Sequence, residues 1–154
     1  MVTVREAVRE DANAMSDILS EILVSWGSER PRSPAHIISN YVEHPDKIRC
    51  SVALAENGDL LGFQSLKVAT AGNPYALPIG WGIIGSYVSA KASRMGVGRA
   101  LFASSLDAAK LAKLTEIDAT IGDENEMALT YYEAMGFRTY KTKVGAICKK
   151  LAVA

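Results

Sequence analysis

The chain has 154 residues, 49% of them hydrophobic, so a single globular domain over residues 1–154 with a sizeable core is expected. Its 17 basic and 17 acidic residues cancel, which argues against the basic field that holds proteins on nucleic acid or anionic membranes. The N-terminus Met1-Val2-Thr3-Val4-Arg5-Glu6 has no apolar targeting core, and no stretch approaches the ~18 uninterrupted apolar residues of a membrane span. Cys50 and Cys148 lie in no metal-ligand spacing and suggest no disulfide framework. A cytoplasmic protein with reduced core thiols and no metal centre is expected.

Val2, Val4 and Ala7-Val8 predict a short strand, and Met15, Ile18, Leu19, Ile22, Leu23 and Trp26 then recur at offsets of three and four, as on one helix face. Ser33-Pro34 has the form of an N-cap followed by proline at the first helical position, and a second helix carrying Ile37, Ile38, Tyr41 and Val42 ends near His44-Pro45. Strands at Ser51–Ala55 and Leu60–Val68 flank Glu56-Asn57-Gly58-Asp59, a hairpin signal. After the turn-rich stretch from Thr70 to Pro78, Ile79–Val88 is expected as a central strand. A helix from Gly96 to about Ala112, a strand at Ile117–Ile121 and a helix at Glu126–Met135 follow, and strands at Phe137–Val144 and Ala146–Leu151 close the chain. The order is βααβββαβαββ, an α/β chain with helices on both faces of a mixed central sheet.

Two stretches carry candidate chemistry. Gly96-Val97-Gly98 joins the central strand to a helix, where unpartnered N–H groups and partial positive charge attract phosphate and glycine lets the backbone come close. The same glycines also suit a bare tight turn. A P-loop would need Lys and Ser/Thr where Arg99-Ala100 stand, and a dinucleotide fingerprint would need a third glycine near Leu101. The second stretch, Asn125 to Phe137, is a helix closed by Gly136, with Tyr131 and Tyr132 near its middle. Asp123, Asn125 and Glu126 fit a helix cap as well as a site, and the tyrosines fit a core as well as chemistry.

Together these stretches resemble the GNAT superfamily of N-acetyltransferases, whose acetyl-CoA turn reads Arg/Gln-x-x-Gly-x-Gly/Ala and whose later motif reads Asn-x-x-Ala-x-x-x-Tyr-x-x-x-Gly-Phe. Asn125, Ala128, Tyr132, Gly136 and Phe137 fill the later motif in order, whereas Ser93 stands where the family has Arg or Gln and Arg94 follows it. The resemblance implies the acyl-CoA N-acyltransferase fold over essentially the whole chain, with acetyl-CoA as co-substrate. It implies that Val88 pairs its backbone with the pantetheine arm, and that Ser93, Arg94, Met95, Gly96, Val97, Gly98 and Arg99 surround the pyrophosphate. It also implies that Asn125 bonds the cofactor arm and that Tyr132 is the general acid for the departing thiol. An unperturbed tyrosine, near ~10, suits that role.

The strand Ile79–Val88 carries no Glu or Asp for a base, and no base is assigned; a water relay through Ser86 or a backbone carbonyl, or an amine bound already neutral, would serve. The acceptor implied is a primary amine of a small molecule, with Ala119-Thr120-Ile121-Gly122 resembling the branch that acetylates phosphinothricin or methionine sulfoximine. Trp26, Tyr75 and Trp81 are candidate pocket walls, and Arg30 and Arg32 candidate partners for a substrate carboxylate. A protein or peptide N-acetyltransferase and a non-catalytic acyl-CoA sensor are the alternatives. A homodimer through an edge formed by the last two strands is expected.

Overall fold

The computed structural model describes residues 1–92 and 94–154. The elements are β1 (Thr3–Glu6), α1 (Ala12–Ser25), α2 (Pro34–Ile37), β2 (Lys47–Leu54), β3 (Leu60–Val68), β4 (Gly82–Val88), α3 (Val97–Leu111), β5 (Glu116–Gly122), α4 (Glu126–Ala134), β6 (Arg138–Lys143) and β7 (Ala146–Ala152). The strands form one sheet in the order β1-β2-β3-β4-β5-β7-β6.

The apolar face of α1, with Met15, Ile18, Leu19 and Leu23, is buried together with Ile37, Val52 and Phe63 on one side of the sheet. On the other side α3 and α4 bury Phe102, Tyr132 and Phe137 against Leu66, Ile117 and Ile121. Each fully buried large apolar side chain contributes about 1.5–3 kcal/mol, so these two layers hold the sheet from both faces.

Ser33 caps α2 by accepting from the His36 N–H at 3.1 Å, with Pro34 at the first position. The helix then widens into a π turn over Ile38–Val42, closed by the Glu43 N–H donating to the Ile38 carbonyl at 2.8 Å. Such turns interrupt α-helices where a side chain must be re-aimed; here the turn carries Tyr41, buried beneath α2 against Phe63.

Three sequence expectations shift. β2 begins at Lys47 rather than Ser51, because the register steps between Lys47 and Arg49 and admits charged residues to the ladder. β4 begins at Gly82 rather than Ile79, since Gly80 has φ +94° and Ile79 is exposed. β7 is not at an edge: it lies between β5 and β6, antiparallel to both. The sheet's edges are β1 and β6, and the exposed Arg138, Lys141 and Lys143 of β6 oppose pairing with an identical strand.

Every neighbouring pair is antiparallel except β4 and β5, which are parallel and in register only at Gly82↔Ile117 and Ile83↔Asp118. Beyond those positions both strands continue unpaired on their facing sides. The sheet splays there.

Candidate active site

The splay opens a cleft of about 610 Å³, lined from β4 by Ile84 and Ser86, from β5 by Thr120 and Gly122, and from α4 by Asn125 and Tyr132. Along β4 the backbone from Ile84 to Val88 pairs with β3 on one side and with no strand on the other. Backbone polar groups in that position require a partner, and an extended ligand with amides of its own supplies one. Val88 itself pairs with Gly62 of β3, packs its side chain against the cluster that holds Val97 and Leu101, and does not line the cleft.

At the upper end of β4 the chain is held by α1: Glu21 accepts from the Ala90 N–H at 2.8 Å and from the Ser89 hydroxyl. The turn that follows enters α3 with Arg94 at φ +66° and Gly96 at φ +77°. Gly96 is the N-cap, and among the described residues no side chain caps the first turn. A Cβ on Gly96 would meet nothing within 4 Å, so this glycine answers the left-handed backbone and leaves room for a ligand. Gly98 is different: a Cβ there would lie 2.7 Å from the Tyr131 ring, so this glycine answers packing within the protein. Val97 is a core residue and offers only its N–H, whereas Arg94, Met95 and Arg99 are exposed. Ser93 lies outside the described residues. This helix N-terminus, its first-turn N–H groups free of any side-chain cap among the described residues, suits a phosphate.

The two tyrosines of α4 differ in commitment. Tyr131 donates its hydroxyl to the Gly98 carbonyl at 2.7 Å and accepts from Gln64 Nε2 at 3.0 Å. Tyr132 has one partner among the described residues, Ser86 Oγ at 2.7 Å. Gln64, fully buried on β3, also donates to Ser86 Oγ at 2.8 Å and accepts from the buried Ser105 hydroxyl of α3 at 2.6 Å. Burial pushes the Tyr132 hydroxyl above its ordinary value, opposed by the Ser86 hydrogen bond. That corrects the expectation of an unshifted tyrosine: burial disfavours the phenolate, so a proton leaving this hydroxyl must be replaced as it goes.

Asn125 caps α4, its Oδ1 accepting from the Ala128 N–H at 3.2 Å. Among the described residues its amide NH2 has no partner, and it is that group which can serve a ligand in the cleft.

Beyond the splay the cleft runs beneath α2 and the loop before β4, past Trp26, Arg30, Tyr41, Lys67, Tyr75 and Tyr87. Tyr41 and Tyr87 meet edge to face at 5.9 Å. Lys67 donates to Asn40 Oδ1 at 3.3 Å and lies 5.3 Å from the Tyr41 ring centre. Burial lowers its pKa. Burial also opposes the Arg30 charge, but the nearby hydroxyls of Tyr87, Tyr41 and Tyr75 outweigh it and hold Arg30 above its ordinary value. Neither cation is ion-paired among the described residues.

His44 lines the same end, its Nδ1 accepting from the Asp46 N–H at 3.0 Å. Burial, then the Lys67 charge, lowers its pKa. A neutral ring with Nδ1 so used carries its proton on Nε2 and has no free lone pair for a base. Asp118, fully buried at the floor of the splay, accepts from Tyr140 at 2.5 Å and from the cleft-lining Thr120 at 2.8 Å.

Of the site residues expected from the sequence, Asn125 and Tyr132 line the cleft; Gly98 is tied to α4 by Tyr131, while Val88 lies on β4 and Arg94, Met95, Gly96, Val97 and Arg99 lie on the turn into α3, outside the lining of the cleft. Of the candidate pocket residues, Trp26, Tyr75 and Arg30 line the cleft. Trp81 does not: it packs against Tyr140 at 5.8 Å, under Lys150. Arg32 does not either, because it turns back to the Ser28 and Arg30 carbonyls. Sequence reasoning missed Gln64, Lys67 and the role of Tyr131. The signal was present for the first two, as a glutamine and a lysine inside the otherwise apolar run Leu60–Val68. Among the described residues no cluster of His, Cys, Asp or Glu could hold a metal, and no helix is long and apolar enough to cross a membrane.

A search of curated proteins found no match. Among solved structures, a GCN5-related N-acetyltransferase from Kribbella flavida superposes with TM-score 0.82 at 22% identity, covering 98% of this chain and 97% of that one. A phosphinothricin acetyltransferase from Sinorhizobium meliloti in complex with acetyl-CoA gives 0.79 at 21%, covering 98% and 88%. The PaiA N-acetyltransferase from Thermoplasma acidophilum in complex with coenzyme A gives 0.76 at 14%, covering 99% of each chain. These likenesses show the same fold, and the sequence profile of the acetyltransferase (GNAT) family matches residues 13–137. Because that profile spans residues 13–137, most of the sequence, the chain belongs to the GNAT family of acetyltransferases.

Proposed function

We propose that the protein transfers the acetyl group of acetyl-CoA to the primary amine of a small molecule that also carries an anionic group, such as an amino acid or an analogue of one. The observation that carries this reading is the splay itself. The β4 backbone beyond Ile83 has no strand partner on that side and leads to an α3 N-terminus with no side-chain cap among the described residues and open space at Gly96, while the cleft ends in an aromatic pocket with two cations free of ion pairs among the described residues.

Acetyl-CoA fits this site. The first-turn N–H groups of α3, with Arg94 and Arg99 at the rim, would hold the pyrophosphate, and the β4 backbone up to Val88 with the Asn125 amide would hold the pantetheine arm. Bound there, it supplies an activated acetyl thioester. The chain's own part is to align the amine, exclude water and move protons. Tyr132 serves as the proton source for the leaving sulfur, directly or through the Ser86 hydroxyl bonded to it, and it acts as a neutral hydroxyl whose proton is replaced as it leaves, since burial disfavours its ionisation.

Arg30 and Lys67 support an anionic acceptor, because a carboxylate between them would gain the ion pairing that neither cation has among the described residues. The phosphinothricin acetyltransferase among the similar structures supports the same class. The test is acetylation of an amino acid against its carboxamide. The expected result is a KM about 10-fold or more lower for the acid, with Lys67→Met removing most of that difference. Equal use of acid and amide by the wild type would contradict the anionic acceptor. Modification of peptide N-termini in preference to free amino acids would favour a protein acetyltransferase, and binding of acetyl-CoA without transfer would favour a sensor.

A further inference from the structure

The hydrogen bonds among Gly98, Tyr131, Gln64, Ser86 and Tyr132 have a direction that donor and acceptor chemistry determines. A backbone carbonyl only accepts, so Tyr131, 2.7 Å from the Gly98 carbonyl, gives its single proton there. Its oxygen can then only accept from Gln64, at 3.0 Å, which turns the Gln64 NH2 group toward Tyr131 and Ser86 and its carbonyl toward the Ser105 hydroxyl. The second N–H of that group donates to Ser86 Oγ at 2.8 Å. Ser86 therefore accepts on the protein side, and its own proton is left for Tyr132 or for the cleft.

Burial decides between the two. Both line the cleft, but Tyr132 is 4% exposed and has no acceptor but Ser86 among the described residues, whereas Ser86 is half-buried. If Ser86 donated to Tyr132, the less exposed tyrosine proton would have no acceptor among the described residues. With Tyr132 donating to Ser86, every proton is satisfied and the Ser86 proton faces the cleft.

We propose that Gln64 is a positioning residue that fixes this polarity, so that Ser86 is the hydroxyl handing a proton to the leaving sulfur, with Tyr132 resupplying it. The proposal rests on the acetyltransferase reading above. As the carbon–sulfur bond of the thioester breaks, Ser86 gives its proton to sulfur and Tyr132 gives its proton to Ser86 Oγ. The Tyr132 oxygen takes up the proton that the acceptor nitrogen loses on bonding to the acetyl carbon. Protons balance, no side chain ends charged, and no carboxylate base on β4 is needed. The same bonds tie this hydroxyl pair to the α3 turn, because Tyr131 holds Gly98 by its hydroxyl and packs its ring where a Cβ of residue 98 would stand.

The test uses Gln64→Glu and Tyr131→Phe in the full chain. The ionised carboxylate introduced by Gln64→Glu only accepts, so it draws the Ser86 and Tyr131 protons toward itself and reverses the polarity without changing shape. The expected result is a kcat about 10- to 100-fold below wild type at alkaline pH that recovers in part as the carboxyl protonates between about pH 9 and 6, a limb the wild type lacks. Tyr131→Phe, which keeps the ring, is expected to weaken acetyl-CoA binding about 2- to 10-fold in calorimetry through loss of its hold on Gly98. Wild-type kcat in Gln64→Glu, or a loss equal at every pH, would overturn the assigned polarity and leave the acetyltransferase reading standing. Should the wild type bind acetyl-CoA yet acetylate nothing, that reading fails instead, and an unchanged affinity in Tyr131→Phe would then overturn the link to the turn.

Discussion

Tyr131 and Tyr132 stand side by side on α4, yet their surroundings give them different work. Tyr131 is saturated by Gly98 and Gln64, which leaves Tyr132 as the tyrosine whose proton can move toward the cleft. Tyr132→Phe keeps the ring against Phe137 and removes only the hydroxyl, so kcat is expected to fall about 10- to 100-fold while the acetyl-CoA dissociation constant changes less than about 2-fold. Stopped-flow turnover and calorimetry check the two halves, and an unchanged kcat would remove Tyr132 from proton transfer. The spacing of Asn125, Ala128, Tyr132, Gly136 and Phe137 made this residue legible in the sequence. The direction of the bonds around it was not, because Gln64 and Ser105 come from distant elements that meet only across the sheet.

At the scale of elements, the sequence suggests one purpose for the two glycines at the start of α3, and the structure separates them. Gly96 serves the backbone, while Gly98 serves the contact between α3 and α4. Gly98→Ala is therefore expected to destabilise the protein by about 1–3 kcal/mol through overpacking against Tyr131. The same substitution made in a Tyr131→Leu background should cost clearly less, a non-additivity that thermal unfolding of the four proteins measures. Additive effects would mean that the Tyr131 ring is not what Gly98 makes room for.

A second element contact sets a pH dependence. Asp11, at the start of α1, accepts from Arg5 of β1 at 2.8 and 2.9 Å and from the Val8 N–H at 2.8 Å. The Arg5 hydrogen bond is the main cause holding its carboxyl below the ordinary value, against the opposing effect of burial. Because the folded pKa is depressed, this stabilisation is present above the ordinary carboxylate range and is lost as pH falls through the lowered folded value. Asp11→Asn should cost about 1–2 kcal/mol at neutral pH, discounted for the half-exposed arginine, and the gap to wild type should close below about pH 4. A gap that persists in acid, read as Tm against pH, would contradict this account.

Considered as a whole molecule, the order of elements was readable from periodicity and turn residues, and the mixed sheet with helices on both faces followed from it. Strand neighbours were not readable to the same degree. β7 lies inside β6 because Ala146–Ala152 pairs with β5, a choice made by non-local packing that periodicity does not encode. For the same reason the splay, set by two register pairs between β4 and β5, left no mark in the sequence. That splay joins the Ser86 and Tyr132 hydroxyls and the pocket of Arg30 and Lys67 into one cleft. The measurement that bears most directly on the account is free-thiol release from acetyl-CoA across a panel of amino acids, with the acetylated product identified by mass spectrometry. The expected result is one thiol released per acetylated amine, for an acceptor bearing a carboxylate, with the rate falling in Tyr132→Phe. Thiol release independent of any amine, or none across the panel, would contradict it.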